Sequence, residues 1–588
     1  MRFLTGRTAL AAAVICVGVA GYLLSPETAD APAAAVAGPN VFDPDTGVIR
    51  VLDVSELADS VLVEDDVPIL VRDGTRLSAK VFRPNTNDRH PVVMAFTAYD
   101  KDGGMSAYPA VLNVADNPNF DFGSFEISPW TAWEAPDPAY WTQHGYAVVY
   151  VDTRGYGASE GDAHVLSARD GEDFYDAIEW AGAQPWSNGN VGLNGVSYLA
   201  ISQWVAASGN PPSLKAMIPW EGQSDNFREV LFHGGIPETA FSAFWLNRIA
   251  TLAHKRPVPP DFAVKLGQRY PLLMKRLQSA LQPPSGIRLA DIQVPALICA
   301  TWSDQGLHTR GSFEGFKQVA SSQKWLFTHG RPKWETYYSA EALSTQLAFF
   351  DHFLKGIENG FDQRPAVRLE VREGLRDYAV RYVKDWPVPE TQYQALYLDA
   401  ENGVLSQNTI SAPAMDSYDP RTDRSEFVFE FDRDTELSGN MKLKLWVSTD
   451  RGNDMDLFIG VEKLDRAGQP VHFFAKTGYT QGPVAMGWLR VSHRELDPRR
   501  STPAQPVLAH ERSLKLDRNE VVPVEIEILP SSTLFRSGES LRLIVQGRDL
   551  FDHPMLAHKR TVNEGTHVLH TGGTYDAHLL IPITGTGF

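Results

Sequence analysis

Apolar residues in this chain gather into short blocks separated by polar stretches with helical spacing. Val92–Phe96, Ala147–Val151, Val191–Val196, Leu214–Trp220, Val294–Ala300 and Trp325–Phe327 are the blocks, and Asp170–Ala183 is one of the helical stretches between them. Blocks of this length read as strands buried on both faces. Strand and helix in alternation predict a mainly parallel sheet with helices on both sides. Ahead of it, Leu70–Leu77 reads as a hairpin with Asp73-Gly74 at its turn. The rhythm breaks over residues 221–290, which are helical in pattern, carry Pro257, Pro259 and Pro260, and are too long for a loop.

After Gly356 the pattern changes to short β-rich runs at turn-bounded intervals. These are Val367–Val371, Ala395–Leu398, Phe427–Phe431, Leu443–Val447, Val522–Leu529, Leu541–Val545 and Leu579–Ile583. Phe427, Phe429 and Phe431 alternate with Val428 and Glu430, as in a strand with one face in a core. An all-β sandwich is expected here. With 588 residues, more than one core is needed.

The first residues read as a targeting segment. Arg2 and Arg7 precede an apolar and small-residue run, Ala9–Leu24, that falls short of the ~20 residues needed to span a bilayer comfortably. Small-residue cleavage patterns follow at Ala29-Asp30-Ala31 and Ala35-Val36-Ala37. Export with cleavage is expected, the alternative being an uncleaved anchor and membrane attachment through this segment alone. Cys16 lies in the leader and Cys299 in a buried strand, so no intrachain disulfide is expected in the folded part. The net charge of −18 disfavours a nucleic-acid partner. Oligomeric state is not legible.

Candidate chemistry begins at Ser197, in Gly195-Val196-Ser197-Tyr198, where a strand runs directly into a helix. A serine on such a turn exposes its hydroxyl, and the helix N-terminus favours developing negative charge. Gly195 stands where a side chain would collide with the helix. Triads on this kind of sheet follow the order nucleophile, acid, histidine. Asp304 closes one later strand and His329 another, both at carboxyl ends where catalytic groups collect. Ser197, Asp304 and His329 are therefore the expected triad. On their own, Asp304 reads equally as a helix cap and His329 as a core histidine.

Tyr99-Asp100-Lys101, the run Asp152-Thr153-Arg154-Gly155-Tyr156-Gly157, Gly195-Val196-Ser197-Tyr198, Asp304 and Phe350–Gly356 together resemble the cocaine esterase and X-prolyl dipeptidyl-peptidase family of serine hydrolases. The resemblance runs from about residue 60 to the C-terminus. It implies an α/β-hydrolase domain with a helical cap, followed by a jelly-roll sandwich. The expected divisions are a leader at 1–37, hydrolase at 38–220 and 291–365, cap at 221–290 and sandwich at 366–588. It also implies acyl transfer through Ser197, with His329 as base and Asp304 orienting it. The oxyanion would be met by the Tyr198 N–H and the Tyr99 phenol, a neutral donor at pH 7.

Trp220, Glu221, Asp225 and Trp302 sit at strand ends and are expected near the substrate. If Glu221 and Asp225 face the pocket, they bind a substrate α-amine; if they pair with Arg228 or cap a helix, an uncharged acyl group is expected. Trp130, Trp133, Tyr140 and Trp141 read as core packing or as a pocket rim. His144, His233 and His308 have no partner at metal-ligand spacing, and no phosphate-binding glycine loop occurs, so neither metal nor cofactor is expected. Asp450, Asn453, Asp454 and Asp456 read as a solvated acidic turn in preference to a calcium loop. Three functions follow: an exported esterase or amidase for small acyl compounds, an X-Pro dipeptidyl peptidase or α-amino-acid ester hydrolase, and an inactive scaffold whose sandwich binds glycans.

Overall fold

The structure, a computed structural model, describes residues 49–105, 117–163, 166–252 and 287–584. The expected leader and much of the expected cap lie outside the described residues, which all fall within one compact unit.

Among the described residues, ten strands make the hydrolase sheet. They are β1 (Val61–Leu70), β2 (Arg76–Pro84), β3 (His90–Thr97), β4 (Ala147–Asp152), β5 (Ser187–Val196), β6 (Leu214–Trp220), β7 (Ala296–Thr301), β8 (Lys324–His329), β9 (Val367–Arg372) and β10 (Tyr378–Val383). The spatial order is β1-β2-β4-β3-β5-β6-β7-β8-β9-β10, antiparallel at both ends and parallel from β4 to β9. Register brings the carboxyl ends to one edge: Thr97 opposite Asp152, Val196 opposite Trp220, Thr301 opposite His329.

Alternation along β3 divides the core. Val92, Met94 and Phe96 meet α1 (Ala168–Gly182), α2 (Tyr198–Ala207) and α4 (Thr309–Gln318), while Val93 and Ala95 belong to the cluster that includes Phe349, Phe350 and Leu354 of α6 (Ala340–Lys355). Period-2 geometry sends successive side chains to opposite faces, and helices cover both. Capping sets the helix ends. Ser167 and Asp170 form a reciprocal capping box on α1, and Gly356 closes α6 at φ 69°. Between β6 and β7 the described part of the cap holds one π-turn (Phe227–Leu231), a short hairpin (Phe232–His233 with Ile236–Pro237) and α3 (Phe241–Leu252).

The C-terminal part is a two-sheet sandwich. One sheet runs Gln392–Asp399, His578–Thr584, Thr435–Thr449, Val522–Phe535, and His567–Thr571 and Ala414–Tyr418 extend from Thr435–Thr449. The other runs Arg424–Glu430, Ser540–Gln546, Asp456–Leu464, Ala485–Arg490, and Val404–Ser406 joins the two, antiparallel to Gln392–Asp399 and meeting Arg424–Glu430 at Val428. Leu443, Leu445, Ile459, Val461, Ile526, Leu543 and Leu579 fill the space between. One expectation is corrected. Val367–Val371, read as the first sandwich strand, is β9 of the hydrolase sheet, parallel to β8 and fully buried. A buried strand of either kind shows the same apolar run, and at its end Arg372 also pairs with Thr533 of the sandwich strand Val522–Phe535.

The Asp450–Asp456 segment is not a solvated turn throughout: Asp454 and Asp456 are buried, and its carboxylates pair with other parts of the sandwich. Asp454 accepts from Ser492 and Lys515, Asp456 from Arg490 and the Val562 N–H, and Asp450 from the Thr566 N–H. Arg154 of the Asp-x-Arg-Gly run is likewise structural, bridging Asp173 and Asp73.

Candidate active site

Ser197 sits between β5 and α2 with φ 58° and ψ −117°. A non-glycine residue there is strained, at a cost of about 1–3 kcal/mol, and the surrounding backbone holds it. The Ser197 N–H donates to the Trp220 carbonyl, while its own carbonyl accepts from Ala200 and Ile201. Gly195, at φ 144°, could not carry a side chain: a Cβ there would lie 2.6 Å from Cβ of Leu199. Tyr198 is the first residue of α2, so its N–H has no acceptor within the helix, and the residue lines the cavity beside Ser197.

The histidine at the serine is His308. Its Nε2 lies 3.2 Å from Ser197 Oγ, and its Nδ1 lies 2.5 Å from Asp304 Oδ2. Asp304 and His308 share one turn after β7, where the Asp304 carbonyl accepts from the N–H groups of Leu307, His308 and Thr309 at the start of α4. This corrects the expected base. His329 ends β8 fully buried, stacked on Trp220, with Nε2 2.9 Å from Glu221 Oε1 and Nδ1 3.4 Å from Thr336 Oγ1. Burial pushes its pKa down to about 3, so it is a neutral core imidazole. The signal that points to His308 is its i,i+4 spacing from Asp304. Weighed only as a metal-ligand pattern, it gives nothing away.

Lys333, opening the short helix α5 (Lys333–Tyr337), reaches the same cluster. Its Nζ is 2.9 Å from Asp304 Oδ2, 3.1 Å from His308 Nδ1 and 3.8 Å from Glu221 Oε2. Glu221, Asp304 and His308 bring metal-capable donor atoms together, and the ammonium stands against them as their positive charge. Burial pushes Asp304 up, but Lys333 and His308 outweigh it and hold the carboxylate well below its usual range. Burial, then Lys333, lowers His308, against the pull of Asp304. Burial raises Glu221 to about 7, against Lys333.

Two lobes open at Ser197. One, about 200 Å³, is lined mainly by apolar groups, among them Leu166, Ile201, Val230, Phe241, Trp245 and Leu246. The other, about 50 Å³, is lined by Trp133, Glu134, Arg248, Lys333, Thr477 and Met555, among others. Tyr99 borders both. Its phenol oxygen accepts from Trp245 Nε1 at 2.8 Å, it lines both lobes together with Ser197, and burial raises its pKa well above the ordinary value. Glu134, at φ 61°, is pushed by burial to about 7. Its carbonyl accepts from the Val196 N–H beside the serine.

The expected pocket residues are elsewhere. Trp220 packs on Phe327 and Tyr337, and Trp302 on Phe313 and Trp386; both are fully buried. Asp225 pairs with Arg228 at 2.6 Å, and Glu221 is sealed behind His329 and Lys333. None of the four lines either lobe. Strand ends point alternately to the two faces of the sheet, so a place at the active edge does not by itself give access to the substrate. Of the aromatic insert, Trp133 reaches a lobe, whereas Trp141 packs in the core against Tyr146 and Phe350.

A strained serine at a strand–helix turn, a histidine at its hydroxyl and a sheet of this order define an α/β-hydrolase with a serine at its centre. The model of the X-Pro dipeptidyl-peptidase (S15) family matches residues 73–331, and that of the X-Pro dipeptidyl-peptidase C-terminal non-catalytic domain matches residues 359–580. The crystal structure of a CocE/NonD family hydrolase from Staphylococcus aureus is 45% identical, superposes with a TM-score of 0.84, and covers 89% of this chain and 94% of that one. Cocaine esterase of Rhodococcus sp. (strain MB1 Bresler) is 28% identical over 417 residues, 60% of this chain and 67% of its own. An α-amino acid ester hydrolase, 17% identical with a TM-score of 0.66 over 95% of this chain and 100% of that one, shares the fold. The chain belongs to the CocE/NonD hydrolases of the S15 serine hydrolase family.

Proposed function

We propose that the protein cleaves esters or amides of small uncharged acyl groups through an acyl-enzyme on Ser197. The observation that carries this is the Ser197–His308–Asp304 chain, at 3.2 and 2.5 Å, opening on an apolar lobe. In this reading His308 Nε2 takes the serine proton as Oγ attacks the carbonyl, and returns it to the leaving group. Water then enters by the same route, with His308 again as base. The Tyr198 N–H and the Tyr99 hydroxyl meet the oxyanion. Trp245 supports the second role: by donating to the phenol oxygen it leaves the phenol proton free to point toward the serine. Such a donor is worth about 2.7–4 kcal/mol in the transition state.

The acyl group is uncharged in this reading because Asp225 is neutralised by Arg228 and Glu221 is closed off. A second reading rests on Glu134, a carboxyl that does line the smaller lobe and would receive an α-amine. Side-by-side assay of wild type and Ser197→Ala on p-nitrophenyl butyrate and glycyl-prolyl-p-nitroanilide separates the two. Ser197-dependent release from the ester alone is expected. Release from the anilide, lost in Glu134→Gln, would establish the second reading.

Export is proposed from Arg2, Arg7 and the Ala9–Leu24 run, with an N-terminal anchor as the alternative. Intact mass of the protein recovered from cell fractions tests it: export with cleavage predicts a chain lacking the leader outside the cytoplasm, and an anchor predicts the full mass in membranes.

A further inference from the structure

The Lys333 ammonium is the cation of the cluster, and the proposed triad does not use it. Its place is unusual, because a cation stands 3.1 Å from the very nitrogen through which the histidine binds its carboxylate. An ammonium has three donors and no acceptor. His308 Nδ1 has one site, and Asp304 Oδ2 lies 2.5 Å from it. The Nδ1 proton therefore points to Asp304, and Lys333 donates to the same oxygen from 2.9 Å. Two donors converge on Oδ2, while Asp304 Oδ1 accepts no hydrogen bond among the described residues. With Nδ1 protonated, the Nε2 lone pair is left facing Ser197 Oγ.

We propose, building on the triad reading above, that Lys333 is a positioning residue for catalysis, fixing the Asp304 Oδ2 that accepts the Nδ1 proton and holding His308 neutral. Like charges 3.1 Å apart also make the imidazolium formed during attack a stronger acid, which favours return of its proton to the leaving group. The groups facing this pair come from several elements. Ser197 faces His308 from the turn before α2, and Glu221 faces both from the end of β6. Glu134 faces Lys333 from the aromatic insert, and Lys476 of the sandwich faces Asp304. The buried carboxyls keep Lys333 charged, since burial alone would lower its pKa and Asp304, Glu221 and Glu134 outweigh burial.

The test is the pH dependence of Ser197 labelling by a fluorophosphonate, which needs His308 neutral. In the wild type the midpoint should lie below the ordinary histidine value of about 6.5. In Lys333→Met it should rise by about one unit or more, while Lys333→Arg, which keeps the charge, stays near wild type. A wild-type midpoint at or above 6.5 overturns the proposal without any variant, so a Met variant that fails to fold does not protect it; Lys333→Gln then serves as the neutral form. A midpoint unmoved in the neutral variant, or moved equally in Lys333→Arg, makes Lys333 merely structural. Absence of labelling in the wild type overturns the Ser197 assignment itself, and this role with it.

Discussion

Glu134 and Glu221 are carboxyls that burial raises to about 7, above an ordinary 4.5. A carboxyl whose folded pKa is raised binds its proton more tightly in the native state than in the unfolded chain. Its native form is therefore favoured below about 4.5, and that advantage is lost as pH climbs through 7. Glu134→Gln removes the dependence at one site. Its Tm should match wild type near pH 4 and exceed it at pH 8, so a difference that shrinks toward pH 8 would contradict the buried, protonatable carboxyl. The two histidines differ by the same physics. His329 is neutral and enclosed, whereas His308 touches the serine. His308→Ala should lower ester turnover by about 10⁴–10⁶-fold. His329→Ala should cost stability, through a cavity and a less well-supported Glu221, and retain most turnover per folded molecule; steady-state assays beside urea unfolding separate the two.

At the scale of the element, β5, its turn and α2 act as one piece. The turn was readable because glycine, serine and an apolar helix fell in the order that steric crowding imposes. The predicted sheet strands and the sandwich strands were readable because burial writes itself as blocks and alternation. Gly195→Ala should prove this turn intolerant, since the new Cβ meets Leu199 and the φ of 144° is foreign to alanine. A loss of about 1–3 kcal/mol with reduced Ser197 labelling is expected from urea unfolding and probe kinetics; wild-type behaviour would mean the turn relaxes. What sequence did not disclose is which strand-end side chain looks toward the serine. His329 and Trp220 sit at the right edge of the sheet and pack together in its core, while His308 and Lys333 stand one turn further along the chain and reach the site. The β9 misplacement has a similar root, for a buried strand carries no mark of the sheet it joins.

For the molecule as a whole, the sandwich helps to hold the Asp304–His308 turn, the proposed acid–base turn. Thr477 and Met555 line the smaller lobe, and Arg310, two residues after His308, is paired with Glu527 of the sandwich as well as Glu229 of the cap. The tightest link is Gln305, beside Asp304. Its Nε2 donates to the Val484 carbonyl and its Oε1 accepts from the Met486 N–H at 2.6 Å. Gln305 therefore ties the acid–base turn to the sandwich by both ends of one amide, without touching the serine. If that tie sets the position of His308, Gln305→Ala should lower kcat by roughly tenfold or more and leave KM nearly unchanged, because near-attack geometry is lost while the lobes persist. Gln305→Glu, which keeps one acceptor and loses the donor, should fall between. A KM effect with kcat preserved would instead place the role of the sandwich in shaping the lobes through Thr477 and Met555, with the catalytic turn held by β7 and α4 alone.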